Sequence, residues 1–349
     1  MRVTYVLDRP ELGGGTKVVL QQARLLAGRG HAVTVAAEGE MPPWAVGGFA
    51  GRRGRTPLYL DLTRQTGRLP SQDLVIATYW TTIARAEDLD AGPVAHFCQG
   101  FEEDLEHLAA EREAIRAAYR RPHPALVVAP HLGERLRSLF GRDFRLAPAP
   151  ADRSVGRRLR FGPRRRPRVA LCGIFEAPVK GIRIGLAALA QLVADAPPDR
   201  VPQLVRISAL PCSDAERALH PPAIEVRYLS AVAPRVALAA LADCDLLLFS
   251  SQAGEGLGLP LLEAMQLGVP AVAARLPGVE FLTAGRGARL VEPTDAAAFA
   301  RLAGELLATP ACWRQQRQSG LRAAQRFAPE AVGREVELAI RWAAEAARR

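Results

Sequence analysis

Short apolar runs alternate with segments of helical periodicity through the first half of the chain. The runs RVTYVL, HAVTVAA, DLVIAT, PVAHFC and ALVVAP are apolar on both faces, as buried parallel strands are. Helical periodicity lies between them, most clearly over Lys17–Gly28 and Glu103–Arg120. This repeated alternation predicts a parallel sheet covered by helices.

The same alternation restarts after a stretch rich in arginine and proline. Strands are predicted for RVALCG, QLVRIS, IEVRYL, DLLLFSS, PAVAAR and ARLVE, and helices for residues 182–194, 234–242, 260–267 and nearly everything from Asp295 onward. With 349 residues, the chain is also longer than one core usually fills. We therefore predict an α/β protein with two Rossmann-like, doubly wound parallel-sheet domains that face each other across a cleft.

The domain boundaries follow from where the alternation stops and restarts. The N-terminal domain is predicted over residues 1–152, completed by a returning C-terminal helix at about 333–349. An arginine-rich linker is predicted over residues 153–167, and the C-terminal domain over residues 168–332. In sheets of this kind, ligands bind beyond the carboxyl ends of the strands, so the loops that follow strands are the candidate sites.

Composition excludes several classes of protein. A hydrophobic content of 49% with only 6% aromatic residues is typical of a folded, helix-rich protein and not of a disordered one. No long apolar segment opens the chain, so we expect neither a signal peptide nor a spanning helix, and a cytoplasmic location. The five cysteines lack CxxC spacing, which favours buried thiols over zinc ligands or disulfides.

The net charge of +10 is concentrated in one segment. Eight arginines fall between Arg153 and Arg168. Three interpretations stay open: a solvated linker, attraction to an anionic membrane or a phosphate-bearing acceptor, and nucleic-acid binding. No known nucleic-acid-binding motif accompanies these arginines, which makes the last interpretation the least favoured. Peripheral contact with the inner face of a membrane is one of the alternatives.

The stretch EGLGLPLLE directly follows the predicted strand DLLLFSS. Gly256 and Gly258 lie in the loop before a helix, where main-chain amides attract anions. Glu255 stands at the mouth of the loop, and Glu263 about one turn into the helix. The spacing suits a ligand with hydroxyl groups at both ends and phosphate between them. A capped surface helix with two solvated acids is the alternative.

The longer stretch EGLGLPLLEAMQLGVPAVA resembles the signature of retaining glycosyltransferases of the GT-B fold, family four (glycosyl transferases group 1). The resemblance implies that Glu255 bonds hydroxyl groups of the donor sugar and that Glu263 bonds the nucleotide ribose. It also implies that the main-chain amides of Gly256, Leu257 and Gly258 contact the sugar and the phosphate. The predicted domains would then bind the acceptor (N-terminal) and the donor (C-terminal).

Other stretches resemble the same family. In ELGGGTKVVLQQARLLAGRGHAVTV, the glycines Gly13, Gly14 and Gly15 match its N-terminal glycine loop, a second phosphate-binding loop. In GIFEAPVKG, Lys180 matches a lysine that binds the pyrophosphate. ATYWTT, HFCQGFEEDL and ALVVAPHLGERL resemble a subgroup that includes transferases of rhamnose and related sugars to cell-surface glycans. The resemblance covers about residues 1–330, apart from 36–70 and the linker.

Two positions depart from the family pattern. Ile174 stands where the family commonly has an arginine for the pyrophosphate, so that cation is missing unless Arg183 or Arg206 compensates. Gln99 stands where many members have a histidine near the donor sugar. A glutamine can bond a hydroxyl group but cannot carry charge.

Other candidate motifs are set aside. Asp243 and Asp245 form a DCD sequence similar to the metal-binding DxD of another glycosyltransferase fold, but they precede a strand, which favours a structural role. No histidine pair has metal-ligand spacing on a helix, and neither a GxSxG elbow nor a GxxxxGK[ST] loop is present. We expect no bound metal and no cofactor.

These features predict a metal-independent retaining glycosyltransferase of polysaccharide biosynthesis. It would move a hexosyl or deoxyhexosyl group from a nucleotide-diphosphate sugar to a glycan, a lipid-linked glycan or a small molecule. Glu255, Lys180 and Gln99 are the candidate catalytic residues. A catalytically silent nucleotide-sugar-binding protein and a nucleic-acid binder that uses the arginine cluster are the alternatives.

Overall fold

The chain forms two compact α/β units. The computed structural model describes residues 1–45, 56–65, 68–222 and 224–349. The first unit consists of residues 1–150 and 327–349, and the second unit of residues 151–326. The stretch 36–70, where the family resemblance has no counterpart, includes residues that lie outside the described ranges.

Strands occur at regular intervals in both units. They are β1 (Arg2–Val6), β2 (Ala32–Ala37), β3 (Leu58–Asp61), β4 (Leu74–Ala77), β5 (Val94–Cys98), β6 (Ala125–Val127), β7 (Phe144–Leu146), β8 (Arg168–Cys172), β9 (Gln203–Ser208), β10 (Glu225–Ser230), β11 (Leu246–Phe249), β12 (Ala271–Ala274) and β13 (Arg289–Val291).

Helices separate most of the strands. They are α1 (Gly14–Gly28), α2 (Trp80–Asp88), α3 (Arg112–Tyr119), α4 (Pro130–Phe140), α5 (Ile182–Ala194), α6 (Asp214–Arg217), α7 (Pro234–Ala242), α8 (Leu259–Leu267), α9 (Pro277–Thr283), α10 (Ala296–Ala308), α11 (Pro310–Ala324) and α12 (Pro329–Ala346). None in the described ranges is both long and apolar enough to cross a bilayer.

The first unit is built on a seven-stranded sheet with the order β3-β2-β1-β4-β5-β6-β7. All its strand pairs are parallel, and Tyr5 at the centre pairs with Val35 on one side and Ile76 on the other. The C-terminal helix α12 belongs to this unit and packs against α1 and β7. The end of the chain thus completes the unit formed by its beginning.

The second unit is built on a six-stranded parallel sheet with the order β10-β9-β8-β11-β12-β13. Ala170 in β8 pairs with Val205 on one side and Leu247 on the other. The strands β11 and β12 are buried along their whole length, because helices cover both faces of the sheet. The predicted α/β class with two parallel-sheet domains is confirmed.

Some elements differ from the sequence-based expectation. The predicted helix over Glu103–Arg120 is wrong in its first part, where 3₁₀ turns cover Glu102–Asp104 and Glu106–Glu111 before α3 begins. Leu108 departs from helical angles and interrupts the segment. The strands β3 and β7 were not expected. Both lie at edges of the first sheet, where Leu58 is 63% exposed, so they lack the apolar runs of central strands.

Candidate functional site

The loop between β11 and α8 holds most of the predicted donor-binding residues of the second unit. Gly258 caps α8 with a φ of 91°, a left-handed conformation that favours glycine. A Cβ at this position would lie 3.0 Å from Cζ of Phe249, so the closing turn also needs the space that glycine leaves. Pro260 is the second residue of α8, where its missing amide hydrogen costs no hydrogen bond.

Main-chain amides of this loop are available to a ligand. Among the described residues, the N–H groups of Gly256, Leu257 and Gly258 meet no hydrogen-bond acceptor. They lie at the N-terminal, positive end of α8, where unsatisfied N–H groups favour anions. The three residues are buried. These N–H groups are therefore available to a hydrogen-bond acceptor.

Lys180 and Glu255 are in direct contact. The Lys180 Nζ donates to Oε2 of Glu255 at 2.9 Å, and the hydroxyl group of Ser251 donates to the same oxygen at 2.9 Å. The Glu255 side chain is 10% exposed, whereas that of Lys180 is 36% exposed. The ammonium group has three hydrogens, so it can hold Glu255 and still donate to a ligand. Ser251 is a participant that the sequence analysis did not single out.

The backbone around Lys180 brings the two loops together. A 3₁₀ turn over Pro178–Lys180 ends at Gly181, whose φ is 56°. A Cβ on Gly181 would overlap the carbonyl oxygen of Ser250, so only glycine allows this close approach. The amide of Gln252 donates to the Val179 carbonyl group at 2.7 Å. The loop after β8 is therefore fixed to the loop after β11, which places Lys180 beside Glu255.

Glu263 lies one turn into α8, as predicted, with its side chain partly exposed. Its charge adds to burial, the larger cause, in raising the pKa of the Cys172 thiol to about 12. Glu263 is therefore close to the carboxyl end of β8, one of the two central strands of this sheet. Glu263 and Lys180 therefore both lie at the end of the second sheet where its strands have their carboxyl ends.

The two arginines that could replace the missing cation at Ile174 are placed very differently. Arg206 is fully buried, and its Nε donates to Oε1 of Glu216 at 2.6 Å while its NH1 donates to two main-chain carbonyl groups. The expectation that Arg206 can serve a ligand is therefore wrong. Arg183 is exposed and stacks on the Phe175 ring at 4.3 Å, so it remains the candidate.

The predicted residues of the first unit lie around the start of α1. Gly13 is the N-cap, and Gly14 and Gly15 form the first helical residues, so the helix begins three residues earlier than the predicted Lys17. All three glycines are exposed. A Cβ on Gly15 would lie 3.3 Å from the Gln99 side-chain nitrogen. The structure thus brings Gln99 against the glycine loop. The Gly13 amide donates to the Glu11 carbonyl group at 2.9 Å, and the positive end of the helix that follows favours anions.

Glu102 lies three residues beyond Gln99 and is missed by motif analysis. Its carboxyl group is buried and accepts a hydrogen bond from the Tyr119 hydroxyl group. Burial raises the pKa of Glu102 to about 8. The signal in the sequence was the acidic run EED shortly after a buried strand, which by itself is typical of a solvated turn.

Asp243 and Asp245 have a structural role. Asp245 is fully buried and accepts hydrogen bonds from NH1 of Arg160 at 2.7 Å and of Arg164 at 2.9 Å. Asp243 pairs with the same two arginines and with Arg168. Arginine nitrogens therefore occupy the oxygens that a metal ion would need. The solvated-linker interpretation is wrong for these three arginines.

Cys212, Glu216 and His220 form a cluster whose potential ligand atoms all lie within 4.8 Å of one another. The two oxygens of Glu216 already accept hydrogen bonds, from Arg206 and from the hydroxyl group of Tyr228. The guanidinium charge of Arg206 repels a cation, and the buried ion pair accounts for the carboxylate. The cluster is therefore explained as a buried ion pair with two covering side chains.

A cavity of about 550 Å³ lies elsewhere in the second unit. Its wall includes Arg275, Arg286, Arg289, Gln315 and Ser319. None of the predicted donor-binding residues lines it, so this cavity and the chemistry of the loops point to different places. We favour the loops, because they hold the unsatisfied amides and the paired charges.

A family model agrees with the predicted donor unit. The model described as "Glycosyl transferases group 1" matches residues 166–309, which is less than half of the chain. The matched range includes Lys180, Glu255 and Glu263. No curated protein matches the chain.

Solved structures agree over nearly the whole chain. Sucrose-phosphate synthase from Thermosynechococcus elongatus is 18% identical, with 98% of each chain covered and a TM-score of 0.76. Anabaena HepE in complex with UDP and glucose is 17% identical, covering 97% of this chain and 98% of that one, with a TM-score of 0.73. A glycosyltransferase from Rickettsia africae is 12% identical, with 98% of each chain covered and a TM-score of 0.70. These likenesses establish the GT-B fold.

Proposed function

We propose that this chain is a glycosyltransferase that uses a nucleotide-diphosphate sugar as its donor. One observation carries the proposal: Lys180 and Glu255 are hydrogen-bonded beside a loop whose amides have no partner among the described residues. A cation and free amides suit a diphosphate, and a carboxylate suits the sugar hydroxyl groups. The family match over residues 166–309 supports the same chemistry.

The reaction we propose is glycosyl transfer with retention, without a metal ion or cofactor. The bond between the sugar and the diphosphate breaks with its electron pair on the phosphate oxygen. The hydroxyl oxygen of the acceptor bonds the same face of the sugar, and its proton passes to the departing phosphate oxygen. Lys180 and the amides of Gly256, Leu257 and Gly258 would stabilise the charge on the leaving diphosphate. One well-placed donor of this kind contributes about 3 kcal/mol to transition-state stabilisation.

The remaining contacts follow the resemblance. We propose that Glu255 holds hydroxyl groups of the sugar and that Glu263 holds the ribose of the nucleotide. For the first unit, we propose donor contacts by Gln99 and by the glycine loop formed by Gly13, Gly14 and Gly15. HepE structures contain UDP, glucose or UDP-glucose, which makes uridine diphosphate the first nucleotide to test.

The transferred group in this proposal is a hexosyl or deoxyhexosyl unit, and rhamnose-like donors are included because of the subgroup resemblance. The acceptor is a glycan, a lipid-linked glycan or a small molecule. A thermal-shift panel of nucleoside diphosphates identifies the base, since the preferred ligand stabilises the folded protein by mass action. Transfer is then measured with the matching nucleotide sugars.

Two substitutions separate binding from turnover. We expect Glu255→Ala to abolish transfer while nucleoside diphosphate still stabilises the protein, and Glu263→Ala to weaken that stabilisation. If no nucleoside diphosphate shifts the unfolding temperature of the wild-type protein, the proposal is wrong.

A catalytically silent nucleotide-sugar binder is the second candidate function. Burial of Arg206 favours this second function. Of the two arginines that could replace the cation missing at Ile174, Arg206 is buried and Arg183 alone is exposed. Such a protein would bind a nucleoside diphosphate but would neither transfer sugar nor hydrolyse any donor. The transfer assay with the donor identified above distinguishes the two functions.

A further inference from the structure

In the arginine-rich segment, residues 153–167, one arginine side chain points inward while its apolar neighbours point into solvent. Arg160 lies inward, with a side chain only 13% exposed and bound to Asp243 and Asp245. Its two neighbours along the chain, Leu159 and Phe161, are 85% and 73% exposed. Charged residues normally face water and large apolar residues face the core. In this segment the fold holds the arginine inside and two apolar side chains outside.

The outward direction of these side chains is fixed by the surrounding structure. Arg317 donates to the main-chain carbonyl group of Arg158 at 2.8 Å, and Arg314 donates to that of Phe161 at 2.9 Å. Both arginines belong to α11. The backbone is thus fixed on each side of the inward Arg160. A free loop would fold its leucine and phenylalanine onto the protein, but these anchors hold them away from it.

Positive charge surrounds the two apolar side chains. Arg158 and Arg166 are exposed, and Arg165 is exposed beside its partner Asp199. Exposed arginines next to inserted apolar side chains suit an anionic bilayer, where phosphate groups lie above the acyl chains. The net charge of +10 gives the whole protein the same preference.

We propose that residues 157–166 dock on the surface of an anionic phospholipid membrane, with Leu159 and Phe161 inserted between the headgroups. A protein partner is a poorer fit, because a stable interface buries about 800 Å² on each side and two side chains supply far less. Nucleic acid would account for the arginines but not for the exposed leucine. The inference does not depend on the proposed function, since membrane docking requires no transfer activity.

The test is co-sedimentation of the full-length protein with vesicles of phosphatidylcholine, with and without phosphatidylglycerol. We expect binding only to the anionic vesicles, weakened by salt. The variant Leu159→Ser/Phe161→Ser keeps every charge and should lose binding by about tenfold or more. Replacing Arg158 and Arg166 with Gln should cost about fivefold per arginine. Leu219→Ser, at an exposed leucine elsewhere in the second unit, should bind like the wild type.

Unfolding temperatures of all variants should match the wild type, because the changed side chains are exposed. The proposal would be overturned if the wild-type protein did not bind anionic vesicles. It would also be overturned if the Leu159→Ser/Phe161→Ser variant bound them as strongly as the wild type. Fluorescence anisotropy with a labelled oligonucleotide tests the alternative that the segment binds nucleic acid. Oligonucleotide binding that is lost with the arginines alone, without vesicle binding, would assign the segment to nucleic acid instead.

Discussion

The Lys180 ammonium group lies 2.9 Å from Oε2 of Glu255, although 75 positions separate the two residues in the chain. Lys180 follows β8 and Glu255 follows β11, and these strands are neighbours in the second sheet. Neighbouring parallel strands have their carboxyl ends at the same end of the sheet, so the two loops meet there. The hydrogen bond holds the carboxylate in place and leaves donor capacity on the lysine.

Lys180→Ala should lower the rate of sugar transfer by about 100-fold, since it removes one charged donor from the leaving group. The rate is measured with the donor that thermal shift identifies. Arg183→Ala is the variant for comparison, because exposed Arg183 is the remaining candidate for the cation missing at Ile174. An equal loss in both variants would show that Arg183 supplies the charge missing at Ile174. No loss with Lys180→Ala would remove the lysine from the mechanism.

Asp245→Asn should destabilise the second unit by about 3 kcal/mol, because the buried Asp245 carboxylate is removed from the partly buried Arg160 and Arg164, which then lack their full counter-charge. Urea unfolding followed by circular dichroism measures the change. Asp199→Asn is the control: it removes the exposed pair with Arg165 and should cost less than about 1 kcal/mol. Similar values for the two variants would contradict the structural role given to Asp245.

Glu337 connects α12 to the rest of the first unit. Hydrogen bonds from Arg341 and Arg29 lower the pKa of Glu337 to about 2, and the His31 ring lies 3.2 Å from the same carboxylate. The carboxylate is ionised in the folded protein, so its contribution is present above the ordinary pKa of 4.5 and is lost as the pH falls toward 2.

Glu337→Gln should therefore cost about 1–2 kcal/mol at neutral pH, with a smaller difference from wild type below about pH 4. Glu305→Gln, which removes an exposed i,i+4 pair with Arg301, should cost no more than about 0.5 kcal/mol. Urea midpoints over this pH range provide the measurement. A pH-independent cost at Glu337 would contradict the assigned ion pairing.

The pH dependence of stability contributed by Glu102 should have the opposite sign to that contributed by Glu337. Burial raises its pKa from 4.5 to about 8, so the folded protein holds a proton that the unfolded chain releases. Stability should fall as the pH rises from about 4.5 to 8, and Glu102→Gln should remove that slope. At pH 8 the variant should be more stable than wild type by at least about 1 kcal/mol. Equal slopes would show that Glu102 ionises freely in the folded protein.

Much of the fold was predictable because buried parallel strands leave a strong pattern. The runs around Tyr5, Ile76 and Leu248 are apolar on both faces, and each is a central strand. The edge strands β3 and β7 escaped the same analysis, since an edge strand is half exposed and its residues need not be apolar. The prediction of one helix over Glu103–Arg120 was wrong at Leu108, because helical periodicity in a sequence does not reveal a local kink.

The candidate site divides in the same way. Gly258, Pro260 and Glu263 form a short local pattern, so their positions around the start of α8 could be predicted from spacing. The burial of Arg206 was not predictable. Its sequence context, the strand QLVRIS, gives no sign that Glu216 turns back to meet it.

The sequence by itself determined the central strands, most of the helices and the loops that join them, because these depend on residues close together in the chain. The tertiary structure decided which charges are paired: Lys180 with Glu255, Arg206 with Glu216, and three arginines with Asp243 and Asp245. It also decided that Leu159 and Phe161 face outward. These outcomes depend on contacts between distant segments, which exist only after the sheets have formed.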